Sequence, residues 1–298
     1  MRGSIDDNGN YQKQSVIVQG ITGKYGSAHT KLMIEYGTNI VAGVTPGKGG
    51  QKFEDKVPIY NSVKEAVDAS GAQIAIMFVP AKFFLDAAKE ALEAGIKLLV
   101  AIPEHVPIHD TMKTIELVKQ KDAIMIGPNT PGVIIPKLIK VGIMPASPFS
   151  PGNIAVLSKS GTLLYEISNN LTSAGFGQSI TIGIGGDPIN GTRMIDAFDM
   201  VKDDSDIDGM VIVGEIGGEA EEVLAQHIID IGFKKPIVGY IAGRRAPKEK
   251  RMGHAGAIVM GTYGSAESKI TMFAKANIPV AKRPGEIAIL LAGKMNSQ

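Results

Sequence analysis

The first half of the chain alternates short apolar runs with stretches whose apolar residues recur every three or four positions. The runs are rich in Val and Ile and mostly lack polar alternation, which is typical of strands covered on both faces. Strands that alternate with helices predict a doubly wound α/β fold with a parallel sheet. The predicted strands are Ser15–Gln19, Ile40–Val44, Ile74–Val79, Leu98–Ile102 and Ala123–Ile126, and the predicted helices are His29–Tyr36, Ser62–Ala69, Phe83–Ala94 and Asp110–Lys119.

A proline-rich segment, Gly127–Gly152, interrupts this alternation. It is long for a simple connection and therefore predicts a domain boundary. We expect one domain over residues 1–130, with a short N-terminal extension over residues 1–14, and a second parallel α/β domain over residues 131–298. In the second domain the predicted strands are Ile154–Ser158, Ile180–Ile184, Gly209–Val213 and Pro236–Ile241, and the predicted helices are Gly161–Ala174, Gly191–Val201, Glu219–Ile231, Ala266–Ala276 and Gly285–Ala292.

Composition narrows the functional classes. In a chain of 298 residues, 31 Lys and Arg residues against 30 Asp and Glu residues leave a net charge of +1, which provides no cationic field for nucleic acid. No run approaches the roughly 18 apolar residues that a membrane span requires. The absence of Cys excludes disulfides and thiolate-ligated metals and fits a reducing compartment. Residues 1–14 lack the features of a signal or transit peptide, so we expect a cytoplasmic protein without nucleic-acid or membrane partners.

A glycine cluster, QGITGKYG at residues 19–26, lies between the first predicted strand and the first predicted helix. In an open parallel sheet this turn binds nucleotide phosphates, because glycines let the backbone approach and the helix N-terminus offers free N–H groups. The spacing is G-x-x-G-x-x-G, not the dinucleotide pattern, and TPGKGG follows at residues 45–50 where an NAD site would have an acidic residue. Lys48 on a flexible glycine loop suits a phosphorylated ribose. The alternative is a structural turn.

Two further strand ends carry polar residues. The segment LSKSGT at residues 157–162 enters a helix through Ser160, Gly161 and Thr162, whose hydroxyl and N–H groups either form an anion site or simply cap the helix. Glu215, in VGEIGGE at residues 213–219, stands at a strand end where α/β domains collect ligand chemistry. Capping or solvation is the alternative interpretation of this carboxylate.

The segment GRRAPKEKRMGHAGA, residues 243–257, favours covalent chemistry over a solvated surface. It places five cations before His254, which is flanked by Gly253 and, after one alanine, by Gly256. A neutral imidazole is nucleophilic and carries a transferred group when a carboxylate holds its other nitrogen. Neighbouring cations and a helix N-terminus would stabilise a phosphoryl group on it.

These motifs together identify a resemblance to the α subunit of succinyl-CoA synthetase, a nucleoside-diphosphate-forming acyl-CoA ligase, from Ser15 to the end of the chain. It rests on GVTPGKGG, GPN, SGT, GIGGDP, GEIGG and RMGHAGA, which occur in that order. The resemblance implies an N-terminal Rossmann-like CoA-binding domain and a C-terminal flavodoxin-like domain. It also implies an α subunit that requires a β partner with an ATP-grasp domain.

The resemblance also assigns roles to individual residues. His254 would be phosphorylated, Glu215 would orient its ring, and the turn at Ser160, Gly161 and Thr162 would stabilise the phosphoryl group. The β subunit would bind ATP or GTP with Mg²⁺, whereas no metal ligands are expected in this chain. Tyr165 matches a position that lines the site of a small dicarboxylate substrate. The positions that match CoA contacts are Thr22, Gly23, Lys24, Tyr25, Lys48, Ile102, Pro103 and Glu104.

The implied reaction interconverts succinate, CoA and a nucleoside triphosphate with succinyl-CoA, a nucleoside diphosphate and phosphate. Three positions depart from the usual family pattern: Thr130 replaces a Cys, His105 replaces a Gly after Glu104, and Glu249 replaces a common Gly. These departures leave malate-, citrate- or acetate-CoA ligase subunits as alternatives. An NADP-dependent dehydrogenase, suggested by the first glycine turn, and a CoA-responsive binding module are more distant alternatives.

Overall fold

The structure, a computed structural model, describes residues 14–246, 253–259 and 264–297. The chain divides into two compact units. The first extends to Met144 and includes Ile189–Gly191, and the second comprises Pro145–Pro188 and the chain from Thr192. The domain boundary expected after residue 130 remains a proposal.

A seven-stranded sheet organises the first unit, in the order β3-β4-β2-β1-β5-β6-β7. All pairs are parallel except β3 with β4. Leaving aside the antiparallel edge strand β3, this is the doubly wound order of nucleotide-binding domains, which reverses direction between β1 and β5. The strands are β1 (Ser15–Gln19), β2 (Asn39–Val44), β3 (Lys52–Phe53), β4 (Val57–Tyr60), β5 (Ile74–Met77), β6 (Leu98–Ala101) and β7 (Ile124–Ile126).

Helices cover this sheet because their apolar faces pack on its Val- and Ile-rich strands. Phe84, Ala88, Ala91 and Leu92 lie on one face of the third helix and are all buried in the same core as β1 and β5. Left-handed glycines end the first two helices, at Gly37 and Gly71. The helices are α1 (Lys24–Tyr36), α2 (Val63–Ser70), α3 (Phe84–Glu93) and α4 (Ile108–Gln120).

A second sheet contains the strands of the second unit, in the order β14-β13-β12-β10-β11. Its five parallel strands from β10 to β14 follow the flavodoxin-like order 2-1-3-4-5, with the reversal between β10 and β12. The hairpin of β8 and β9 is antiparallel. The strands are β8 (Gly132–Ile135), β9 (Ile139–Gly142), β10 (Pro151–Ser158), β11 (Gln178–Gly183), β12 (Gly209–Glu215), β13 (Ile237–Ala242) and β14 (Val280–Ala281).

The helices described in the second unit flank the parallel strands and bury an aliphatic core that includes Ile154, Ile167, Val211 and Leu291. They are α5 (Gly161–Ser173), α6 (Met194–Asp199), α7 (Ala220–Asp230), α8 (Ala266–Lys275) and α9 (Ile287–Met295). The predicted two-domain α/β fold with mainly parallel sheets is confirmed.

Two local predictions were wrong. Helix α1 begins at Lys24, not at His29. The sequence pattern missed this first turn because the residues between them lack apolar periodicity and include Gly26, a poor helix former. The proline-rich segment contains the hairpin β8–β9, which sequence reading treated as a connection. The close approach of β8 to β9 requires glycine, because a Cβ on Gly132 would lie 2.1 Å from the carbonyl oxygen of Val141.

Candidate functional site

The turn between β1 and α1 is built from backbone groups. Gly20 has a positive φ of 80°, and its carbonyl oxygen accepts the N–H of Gly23 at 3.0 Å. A Cβ on Gly26 would lie 2.1 Å from the same oxygen, so only glycine permits this approach. Gly23 precedes the first helical residue, so the free N–H groups of α1 begin here. The turn therefore offers the phosphate-binding geometry that the glycine spacing predicts.

A cavity of about 660 Å³ opens beside this turn. It lies at the carboxyl ends of β1, β2 and β5, where strand order reverses and open α/β sheets bind ligands. Tyr25 and Phe83 contribute exposed aromatic rings to its wall. The predicted CoA-contacting residues Thr22, Gly23, Lys24 and Tyr25 all line it. The sequence reading missed Gln19, whose buried Oε1 has no hydrogen-bond partner in the described part of the chain.

The remaining predicted CoA contacts lie outside the lining of this cavity. Ile102, Pro103 and Glu104 directly follow β6, at the same carboxyl edge of the sheet as the turn. Lys48 lies on an exposed loop that is held by a side chain from outside the loop. The Oδ1 atom of Asn61 accepts the N–H groups of Gly47 and Gly49 on either side of the lysine, at 2.9 and 3.0 Å.

In the second unit, Glu215 and His254 form a hydrogen-bonded pair. The Nδ1 atom of His254 lies 2.6 Å from Oε2 of Glu215. The glutamate ends β12 and its side chain is 7% exposed, whereas the imidazole is 31% exposed. A carboxylate accepts a hydrogen bond from Nδ1–H, so the neutral ring keeps its proton on Nδ1 and its free lone pair on Nε2. The predicted pairing of these residues is therefore present.

Neighbouring groups set the charge and the orientation of His254. The hydrogen bond with Glu215 raises the pKa of His254 above its ordinary value of 6.5, burial opposes this increase, and the Lys159 ammonium also lowers the pKa. A Cβ on Gly186 would lie 2.6–2.7 Å from three ring atoms of His254, so the ring rests directly against this glycine. The imidazole is therefore held between a buried carboxylate and a bare stretch of backbone.

Lys159 is a candidate site residue that the sequence alone did not single out. Its Nζ atom lies 3.5 Å from Oε1 of Glu215, and its side chain is only 13% exposed. Lys159 directly follows β10, and Glu215 ends β12, so the pair lies at the reversal point of the second sheet. Its position inside SKSGT is the only available sequence signal, because the partner carboxylate is far along the chain.

The start of α5 lies beside this cluster, because Ser160 directly follows Lys159. The Ser160 hydroxyl accepts the N–H of Leu163 at 3.4 Å and caps the helix. The capping interpretation of this serine is therefore correct. The N–H groups of Gly161 and Thr162 belong to the first helical turn, where no intrahelical acceptor is available, and the anion-binding interpretation stays a prediction for them.

Tyr165 lies on α5, one turn beyond the cap. Its ring meets Phe149 edge-on at 6.5 Å, and burial raises the pKa of Tyr165 to about 12. The phenol is therefore protonated near neutral pH and available as a hydrogen-bond donor. Its predicted substrate contact stays a prediction.

Only part of the predicted cationic segment falls within the described residues. The guanidinium of Arg244 donates to the carbonyl oxygen of Ala281 at 2.6 Å, which is a structural contact. Lys248, Lys250 and Arg251 lie outside the described residues, as does Glu249. In the described part of the chain no group of three or more His, Asp or Glu side chains is placed to hold a metal ion. None of the helices described above is long and apolar enough to cross a membrane.

Two protein families match the two halves of the chain. The CoA binding domain family matches residues 11–105, and the CoA-ligase family matches residues 157–278. The first range contains the glycine turn and the cavity, and the second contains Lys159, Glu215 and His254.

Solved structures support the fold. The ATP citrate lyase of Methanothrix soehngenii superposes with a TM-score of 0.86 at 23% identity over 96% of this chain. A dinucleotide-forming acetyl-coenzyme A synthetase of Ca. Korarchaeum cryptofilum gives 0.73 at 20% identity over 92% of this chain. This chain spans only 50% and 59% of those two chains, respectively.

Similar sequences match over nearly their full length. The succinate–CoA ligase [ADP-forming] subunit alpha 2 of Archaeoglobus fulgidus is 51% identical over 94% of this chain and 97% of its own length. The corresponding alpha subunit of Aquifex aeolicus is 49% identical over 93% of this chain and 91% of its own length. These matches displace the dehydrogenase alternative. On the strength of these matches, the chain belongs to the family of succinate–CoA ligase α subunits.

Proposed function

We propose that this chain is the α subunit of a nucleoside-diphosphate-forming succinate–CoA ligase and that Nε2 of His254 carries the phosphoryl group. The observation that carries the proposal is the 2.6 Å hydrogen bond between Nδ1 of His254 and Glu215. It keeps the proton on Nδ1 and leaves Nε2 as the attacking atom. After attack, the same carboxylate balances the positive charge of the phosphorylated ring.

The first step is transfer of the γ-phosphoryl group. The Nε2 lone pair of His254 attacks the γ-phosphorus of ATP or GTP, the bond to the bridging oxygen breaks, and the nucleoside diphosphate leaves. The N–H groups of Gly161 and Thr162 and the ammonium of Lys159 provide positive charge for the phosphoryl oxygens. Because the pKa of His254 is raised above its ordinary value, the ring becomes mostly neutral at a higher pH than an ordinary histidine does. This step therefore accelerates as pH rises through that pKa.

The second and third steps consume the phosphohistidine. A succinate carboxylate oxygen attacks the phosphorus and forms succinyl phosphate, which returns the imidazole with its lone pair restored. The CoA thiolate then attacks the acyl carbon, the phosphate leaves, and succinyl-CoA forms. We propose that Tyr165 contacts the acid, and that the cavity beside Tyr25 and Phe83 holds the nucleotide part of CoA.

The shape of the first site supports CoA as its ligand. The glycine turn offers backbone N–H groups to the pyrophosphate, and Lys48 supplies a cation at the carboxyl edge of the sheet. Ile102, Pro103 and Glu104 are proposed to contact CoA from the end of β6.

The nucleotide and the second subunit complete the proposal. We propose a β partner with an ATP-grasp domain that binds ATP or GTP together with Mg²⁺, which neutralises the triphosphate. Subunit naming in the similar proteins supports a partner chain. We also propose a cytoplasmic location. Malate, citrate or acetate are alternative acids, because the same phosphohistidine and CoA steps would act on each of them.

A labelling experiment tests the central step. The chain is combined with its β partner and incubated with γ-³²P-labelled ATP or GTP. We expect label on this chain that survives alkali and is lost in acid, as a phosphohistidine requires. Adding succinate and CoA should discharge it, whereas malate, citrate or acetate with CoA should leave it in place.

Two variants make the labelling experiment decisive. His254→Asn should abolish the label, whereas His109→Asn, at an exposed histidine of α4, should label normally. Label that persists on the His254→Asn chain would disprove the assignment. Discharge by another acid in preference to succinate would reassign the substrate and keep the mechanism.

A further inference from the structure

A buried ion pair joins α7 to α8 behind the candidate site. The side chains of Glu221 and Lys269 are both completely buried, and Nζ of Lys269 lies 2.5 Å from Oε2 of Glu221. The same ammonium donates to Glu222 and to the carbonyl oxygen of Gly218, each at 2.8 Å. Three acceptors therefore match the three protons of the ammonium group.

Stability alone does not explain this pair. Removing two charges from water costs several kcal/mol for each ion, and apolar residues of similar volume often stabilise a core equally well or better. The other contacts of the pair are therefore relevant to its role.

The other oxygen of the Glu221 carboxylate leads to the reacting residues. Its Oε1 atom accepts the backbone N–H of Glu215 at 3.1 Å, and this contact is buried. The Glu215 side chain in turn holds Nδ1 of His254 at 2.6 Å. A continuous series of contacts thus runs from Lys269 through Glu221 to the end of β12 and the imidazole.

The strand is shaped to receive this carboxylate. A Cβ on Gly214 would lie 2.4 Å from Oε1 and 2.5 Å from Cγ of Glu221. Only glycine therefore lets the carboxylate lie directly against the last residues of β12. The approach of Glu221 to the backbone of Glu215 is built into the local sequence.

We propose that Glu221 and Lys269 are positioning residues that fix the backbone of Glu215, so that its carboxylate keeps the imidazole of His254 oriented for phosphoryl transfer. The inference rests on the proposed function. It extends that proposal because neither residue contacts the reacting atoms. Misplacing a reacting group by about 1 Å reduces a rate by about 10²-fold, so a firm anchor for Glu215 is valuable to the reaction.

The test uses the double variant Glu221→Met/Lys269→Met, which removes both charges of the pair. Glu222 loses the ammonium in this variant, but its side chain is 15% exposed to water. In the complex with the β partner, we expect His254 phosphorylation at saturating nucleotide to slow by about tenfold or more. CoA affinity, measured by calorimetry, should stay unchanged. Glu221→Gln retains an oxygen for the Glu215 N–H and should recover part of the rate.

A second measurement does not depend on activity. Among the described residues, Glu215, Lys159 and Asp187 are the charged groups that act on His254. Since the hydrogen bond with Glu215 raises the pKa of His254, loosening Glu215 should lower that pKa in the double variant. Histidine ring NMR of the α chain follows this titration even if His254 is never phosphorylated, so failure of the proposed function and failure of this inference are distinguishable.

A matched control tests for a merely structural role. Asp199→Asn alters another side-chain contact of α7, between Oδ1 of Asp199 and Nε2 of His227 at 2.9 Å, and should leave the His254 pKa unchanged. A wild-type pKa and phosphorylation rate in the double variant would overturn the proposal. If the double variant does not fold, the same two readouts on Lys269→Met decide, and wild-type values for that variant would equally overturn the proposal.

Discussion

The two candidate sites are built from different kinds of groups. The site of the first unit is made of backbone, with Gly20, Gly23 and Gly26 shaping a turn beside exposed aromatic side chains. The site of the second unit is made of charged side chains, and Glu215 and Lys159 are nearly buried. Backbone N–H groups suit a ligand that only binds, whereas a buried carboxylate beside an imidazole suits covalent chemistry.

This difference separates binding from catalysis in the chain. Changes to the glycine turn should act on CoA affinity and leave the chemistry of His254 intact. Changes to the charged cluster should act on phosphorylation and its pH dependence and leave CoA affinity intact. Variants in each region test this separation.

The largest effect is expected for Glu215→Gln. Its amide group can donate to Nδ1 and so favours the ring tautomer whose Nε2 carries the proton and cannot attack. Phosphorylation of His254 should fall by about 10³- to 10⁴-fold, while CoA affinity stays within about twofold. Because the hydrogen bond that raises the pKa of His254 is lost, the residual rate should reach its plateau at a lower pH than the wild type.

Glu219→Gln provides the control for this charge change. Glu219 precedes α7, is exposed and makes no side-chain capping bond. In the Glu219→Gln variant, His254 should be phosphorylated at the wild-type rate. Comparable losses in both variants, measured by initial rates of label incorporation, would contradict a specific role for Glu215.

A second prediction concerns the backbone site. Gly26→Ala places a Cβ 2.1 Å from the carbonyl oxygen of Gly20, which forces the turn apart. CoA affinity should fall by about tenfold or more, and unfolding should become easier by about 1–3 kcal/mol. Calorimetric CoA titration and thermal unfolding measure the two effects, and His254 labelling should remain normal.

The matched variant is Gly23→Ala. Its Cβ would lie 3.3 Å from the same oxygen, and its φ of −70° is accessible to alanine. CoA affinity should therefore fall less than it does for Gly26→Ala. Equal losses for the two variants would show that the close approach at Gly26 does not control binding.

The contrast between the sites also explains what the sequence could predict. A backbone site depends on local glycine spacing and strand-to-helix order, so the turn at residues 19–26 was predictable from pattern alone. The mainly parallel character of both sheets also follows from the alternation of strands and helices. The start of α1 was missed because Gly26 serves the close approach to Gly20 and weakens the helical pattern.

The charged site was predictable only in part. His254 and Glu215 were identified through motifs and a family resemblance, because 39 residues separate them and no local pattern links them. Glu221 and Lys269, separated by 48 residues, had no signal at all. A helical Glu and Lys are usually read as solvated, and only the packing of α7 on α8 reveals that they are buried.

The smallest effect is expected for Lys159→Met, which tests whether the charged site is tuned as well as assembled. The ammonium lowers the pKa of His254, so its removal should raise that pKa further. At pH 6.5 fewer rings would be neutral, and His254 phosphorylation should slow by about three- to tenfold. The deficit should shrink as pH rises through the higher pKa.

Lys282→Met, at an exposed lysine, should leave the whole profile unchanged. A deficit of the same size at every pH would show that Lys159 acts only through the positive charge it provides for the phosphoryl oxygens, and initial rates of labelling between pH 6 and 9 test this.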